Sequence, residues 1–258
     1  MRLVRLGKPA PRFGDVPTRA KYEATIVLGQ RKLLQRLVPG LIHTAIFWGF
    51  LVLFPTIVIA MIGAVDKHAT LPWLGHQGWF ALMVDVFAVL VLTGVIGAAI
   101  IRKVQRPKRF EGSHLKEADL ILLLIAGIVT TLLLWHAARI ELGLNEWPAD
   151  WSPVSNALSG LVGEDALERV FVWAHVLIIL TFLAYLPHSK HLHIATAAVN
   201  VFFASTRARG HLEPLRFDVP DDEMRFGAGT VSDMTWKQTL DTFSCTECGR
   251  CQDVCPAW

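Results

Sequence analysis

The sequence predicts an all-α integral membrane protein: a four-helix transmembrane bundle with a small cysteine-bearing segment at its C-terminal end. Three observations predict it. Of the 258 residues, 53% are hydrophobic and only 18% charged, with a mean hydropathy of +0.42. That balance is strange for a soluble domain and ordinary for several spans joined by short loops. Four apolar runs of membrane-crossing length stand out, at about 41–64, 79–101, 119–138 and 169–187. The flanks of these runs carry 9, 1, 6, 1 and 7 Lys or Arg in chain order. By the positive-inside rule this alternation puts both termini and the middle loop in the cytoplasm, and the two poorer loops outside. A net charge of +3 gives no ground for a nucleic-acid partner.

The elements follow in order. Residues 1–39 form a basic cytoplasmic segment with Pro9, Pro11 and Pro17, ending in an expected helix over about 21–38 at the membrane surface. Without a cleavable signal peptide, the first span serves as its own targeting signal. That span carries His43 at its start and Pro55 inside it, tolerable where neighbouring helices re-satisfy the backbone. The loop after it holds His68 and His76, expected as plain loop residues. Span two contains Asp85 and a small-residue stretch, Thr93 to Ala99, that lets helices approach closely. A basic loop, RKVQRPKRF at 102–110, leads into span three, which ends near Trp135 and His136. The acidic outer loop carries Trp147 and Trp151, and a bundle region of 40–205 closes with span four. The tail, 206–258, holds Asp221, Asp222 and Glu223 before its cysteines.

Span four is the most informative stretch. Residues 171–195 read FVWAHVLIILTFLAYLPHSKHLHIA, placing His175 inside an apolar run and His188, His191 and His193 beyond Pro187. His175 and His193 are 18 residues apart. On an unbroken helix that is five turns and about 27 Å, so both imidazoles face one way at opposite membrane depths. Such a pair fits two haem levels. Glu168 to Ala204 is nevertheless too long for one crossing, so a bend is expected at Pro187. His188 and His191 read as interfacial residues.

All four cysteines lie within Cys245-x2-Cys248-x2-Cys251-x3-Cys255-Pro256. Close spacing brings thiolates around one face of a cubane, and Gly249 allows the tight wrap. Structural zinc sites usually separate two C-x2-C pairs by a longer loop, so the pattern favours a [4Fe–4S] cluster in a small ferredoxin-like segment, 245–256. The chain stops two residues after Pro256, which reads as the front part of a longer protein.

Depth then pairs the histidines. His43 begins span one at the cytoplasmic side and His193 follows the cytoplasmic end of span four, as axial ligation of one haem b requires. His175 lies toward the outer side, where the residue of matching depth in span one is Leu53. His136 is also outward, about 7 Å out of register by helical rise, and is kept as a candidate partner.

These features carry a resemblance. L-I-H at 41–43, A-D-L-I-L at 118–122 and H-(x)11-P-(x)5-H at 175, 187 and 193 resemble the nitrate reductase gamma subunit family of dihaem cytochromes b. With the cysteine tail, residues from about 40 to 256 resemble the membrane-bound heterodisulfide-reductase-related iron–sulfur proteins, which include electron-transfer-flavoprotein dehydrogenases of bacterial membranes. The resemblance implies inner haem ligands at His43 and His193 and one outer ligand at His175, while the other outer ligand falls on Leu53. It implies an oxidoreductase, or a subunit of one, in a bacterial cell membrane. Electrons would pass between a cytoplasmic donor and the membrane quinone pool through the cluster and haem b. The donor would be an electron-transfer flavoprotein or a cysteine-rich iron–sulfur domain. Asp85 is then either a proton carrier for quinone chemistry or a structural partner of Arg139 or His136. The alternative from another class is a haem-free membrane anchor whose cysteine tail docks a soluble redox partner.

Overall fold

The computed structural model describes residues 3–208, 211, 217, 218, 220 and 227–257. The acidic trio Asp221, Asp222 and Glu223 lies outside the described residues. Among the described residues the secondary structure is entirely helical, apart from one isolated backbone bridge between Lys8 and Thr235. The main helices are α1 (Val16–Tyr22), α2 (Leu37–Val65), α3 (Gly78–Ile100), α4 (Leu115–Glu141), α5 (Pro153–Ser159), α6 (Asp165–Tyr185), α7 (His193–Phe202) and α8 (Trp236–Phe243).

The chain divides into two units, one comprising Met1–Lys32 with Pro187–Cys248, the other Leu33–Leu186 with Gly249–Trp258. In the second unit α2 packs on α3, α3 on α4, α4 on α6, and α6 back on α2. The bundle core includes Leu53, Val84, Ala88, Val91, Leu132, Trp135 and Val176. Small residues set the closest approach, as expected for the Thr93–Ala99 stretch. A Cβ on Gly94 would lie 3.0 Å from the Ile46 side chain and 3.2 Å from the Ile42 carbonyl. The outside is as apolar as the inside, with Leu123, Ile96 and Leu177 at 68%, 60% and 57% exposure. Four helices are long and apolar enough to cross a membrane, Leu37–Val65, Gly78–Gln105, Lys116–Glu141 and Asp165–His188. The chain is therefore compatible with a multi-pass membrane protein.

α6 opens with acidic Asp165 and Glu168 in its first turn, which suit the positive end of the helix dipole. It stops at Tyr185. Pro187 has no N–H to continue the ladder and its ring crowds the preceding turn. Two 3₁₀ turns, Leu186–His188 and Lys190–Leu192, intervene before α7. The expected break is there, and it removes the basis for putting His175 and His193 on one helical face, because helical phase is not carried through these turns.

The first unit joins both ends of the sequence. Backbone bonds run from Lys8 N to Met234 O (2.8 Å) and from Trp236 N to Lys8 O (3.1 Å). Phe13, Phe203 and Trp236 form an edge-to-face cluster at 5.1–5.2 Å. Buried Arg19 donates to Phe202 O (2.6 Å) and Ala204 O (3.1 Å), satisfying carbonyls at the end of α7. The N-terminal segment up to Lys32 thus packs with the tail within one unit. Its helix also differs from the expected 21–38: α1 starts at Val16, with Asp15 as N-cap and Pro17 in the first turn. A π-helical turn, Glu23–Leu28, continues it, and Gln30 at φ +50° ends the run.

Candidate functional site

The cysteines come at the end of a well-specified helix. Thr235 and Gln238 form a reciprocal capping box that starts α8, and the chain leaves it at Ser244. Glu247 and Gly249 then take positive φ, +52° and +70°. Left-handed backbone at these two positions coils the chain back between successive cysteines, and only Gly249 adopts it without a steric cost. Cys245, Cys248, Cys251 and Cys255 are all free and exposed. Among the described residues no three His, Cys, Asp or Glu side chains gather as a metal-binding group. The fit to a cluster rests on four thiol donors, their spacing and the left-handed turns between them. Cys245 and Cys248 fall in the first unit, Cys251 and Cys255 in the second.

Within the first unit the cysteine turn and the histidine stretch are in contact. Lys190, whose side chain is only 8% exposed, reaches Glu247 Oε2 at 2.9 Å. Thr196 Oγ1 on α7 lies 3.3 Å from Phe243 O on α8. His193 opens α7, half-buried, its ring edge-on to His191 at 5.2 Å. Its Nδ1 donates to Lys190 O at 3.0 Å, which puts the lone pair on Nε2. Burial pushes its pKa below the ordinary imidazole value, opposed by that backbone bond. Sequence reading missed Lys190 and Glu247, since nothing local marks two exposed-type residues as partners. His188 is exposed, in keeping with an interfacial residue, and His191 is half-buried.

The other histidines belong to the second unit. His43 sits half-buried on α2. Ile42 and Thr44, its chain neighbours, line an apolar groove of about 500 Å³ between α2 and α3, with Trp48, Phe87 and Leu90. His175, 1% exposed, donates from Nδ1 to Ile128 O at 2.8 Å, with Thr131 Oγ1 at 3.0 Å. A carbonyl only accepts, so the proton is on Nδ1 and the lone pair on Nε2. That Nε2 is buried without a hydrogen-bond partner. One ring nitrogen is anchored and the other is unsatisfied, which is how an imidazole is presented to a metal. Leu53 is buried in the bundle core, and buried His136 lies against the rings of Trp135 (5.5 Å) and Trp147 (5.4 Å). His76 is held by Glu146 at 3.2 Å, consistent with a loop residue.

Behind His175 lies a polar network absent from the sequence reading. Trp135 stacks on His175 at 6.4 Å and donates Nε1–H to Glu168 Oε1 at 2.8 Å. Arg139 reaches that carboxylate at 3.9 Å and donates to Lys67 O (2.8 Å) and Leu144 O (2.6 Å). Asp85 is not its partner, nor that of His136. Fully buried Asp85 accepts from Val154 N (2.6 Å), Ser155 N (3.1 Å) and Ser155 Oγ (2.6 Å), capping α5 from a different helix. The local N-cap residue, Ser152, is occupied by Trp147 Nε1 at 2.9 Å. With every accessible oxygen satisfied by α5, Asp85 reads as structural.

The chain is similar to two curated proteins. It is 32% identical over 237 residues to the probable iron-sulfur-binding oxidoreductase FadF of Bacillus subtilis, covering 90% of this chain and 33% of that protein. It is 30% identical over 248 residues to the EtfAB:quinone oxidoreductase of Syntrophomonas wolfei, covering 89% and 33%. Both relatives are oxidoreductases. The chain spans about a third of the length of these relatives. No family model and no solved structure matches it.

Proposed function

We propose that this chain is the membrane part of an oxidoreductase that carries electrons between a cytoplasmic donor and the quinone pool of a bacterial cell membrane. In this reading both termini are cytoplasmic and the bundle is a cytochrome b domain of the nitrate reductase gamma type. Cys245, Cys248, Cys251 and Cys255 would hold a [4Fe–4S] cluster, His43 and His193 an inner haem b, and His175 an outer one. When bound, these groups supply one-electron centres. The protein's own part is to fix imidazole tautomers, to enclose the porphyrin in apolar helices and to keep the cysteine turn beside the histidine stretch.

The observation that carries the reading is the Lys190–Glu247 pair. It ties the turn between Cys245 and Cys248 to the segment that opens into His193. A cluster and a haem held by these residues would be neighbours by construction. The apolar groove lined by the chain neighbours of His43 offers a quinone a lipid-side approach to α2 and α3. The names of the two relatives, one iron–sulfur-binding and one acting between EtfAB and quinone, point the same way and favour an electron-transfer flavoprotein as donor. His43→Ala and His193→Ala should each abolish the same b-type haem, read by reduced-minus-oxidised spectra. Full haem content in either variant contradicts the assignment. Cys248→Ser should remove the iron–sulfur EPR signal and leave the haem spectrum intact.

A further inference from the structure

The second unit has its own hold on the later half of the cysteine turn. Gly249, at φ +70°, is pressed against Arg109 in the loop between α3 and α4, and a Cβ there would collide with the Arg109 carbonyl. Asp253 pairs with Arg36, immediately before α2, with both side chains only partly exposed. Arg250 Nη2 donates to Gln35 Oε1 at 3.3 Å. The loop that receives Gly249 is itself braced: the Phe110 ring has the Arg102 guanidinium at 5.2 Å and that of Arg109 at 5.0 Å. Within the turn, Asp253 N bonds back to Gly249 O at 3.1 Å, which ties the two anchored residues to each other.

We propose that Gln35, Arg36 and the backbone at Arg109 form a seat that fixes the Cys251–Cys255 half of the turn on the membrane bundle. Arg36 and Gly249 are then positioning residues for electron delivery, an inference that rests on reading the turn as an iron–sulfur site. Contact chemistry supports a built seat. A close backbone approach that admits only glycine, an ion pair and a side-chain hydrogen bond converge on Gly249, Asp253 and Arg250 within one short turn.

The test is hydrogen exchange over 249–256 in the full-length protein in nanodiscs, with cluster EPR relaxation as a distance readout to the ferric haem. Arg36→Asp should speed exchange about two- to fivefold, the scale of a partly exposed ion pair. Gly249→Ala should speed it more than about tenfold, since alanine disfavours positive φ and its methyl meets the loop. The double variant R36D/D253R should restore both protection and EPR relaxation, a rescue that general loss of stability does not give. Unchanged exchange in Arg36→Asp, or no rescue in the swap, overturns the seat. Exchange needs no electron flow, so protection that behaves as expected in protein lacking b-type absorption keeps the seat and sinks the functional reading instead.

Discussion

His175 and His193 each donate Nδ1–H to a backbone carbonyl, yet the two rings stand in opposite surroundings. His175 lies in the bundle among buried groups that are already bonded to one another: Trp135 to Glu168, Arg139 to Glu168 and two carbonyls. His193 stands at the mouth of a short helix beside a half-exposed ion pair and an exposed cysteine turn. The difference is one of energetic scale. A buried, mutually satisfied network costs several kcal/mol to break because its members cannot fall back on water. An ion pair at the edge of the protein can be lost with little change in stability, and its value is geometric. Disruption near His175 should therefore show first in folding, and disruption near His193 in the cofactors.

The largest effect is expected at Glu168. Glu168→Ala strips the Trp135 indole of its acceptor and leaves buried Arg139 without its Glu168 carboxylate, at a cost of about 3–5 kcal/mol. Thermal unfolding in detergent measures this, and Glu168→Gln, which keeps an acceptor for Trp135, should lose less. A Glu168→Ala protein as stable as the parent contradicts the network. Next comes Asp85→Ala, which leaves two backbone N–H groups of α5 and the Ser155 hydroxyl without their acceptor, for about 2–3 kcal/mol. Faster hydrogen exchange confined to Val154 and Ser155 is the expected signature, with the proposed electron exchange with quinone unaffected; its loss at parental stability would return Asp85 to proton handling. The smallest stability change belongs to Lys190→Met, about 1 kcal/mol for a pair whose carboxylate is open to water. Here the cluster EPR line shape should change while haem content and melting temperature stay near parental. An unaltered EPR signal would show that the pair does not set the turn.

Much of the architecture was legible because it depends on local pattern. Apolar run length and Pro187 each act where they are written, and the four long helices and the break after Tyr185 follow from them. The buried state of His175 was also readable, as an ionisable residue inside an apolar run. What stayed hidden depends on residues far apart in the chain. Lys8 meets Thr235 and Trp236 donates to Ala10 across more than 220 positions, so a basic segment read as surface helix belongs to the unit that carries His193. Asp85 finds its partners 69 and 70 residues away, in a loop helix whose own cap is engaged elsewhere. The bend expected at Pro187 is local too, and a helix that ends at Tyr185 carries no phase from His175 to residue 193.

The central claim is that this bundle binds haem b beside an iron–sulfur turn. The most direct measurement is the dithionite-reduced visible spectrum of the purified membrane protein, expressed with ample haem. The account predicts b-type absorption whose inner component disappears in His193→Ala and persists in Lys190→Met. A spectrum without b-type absorption would contradict it and leave the chain as a haem-free anchor for a redox partner.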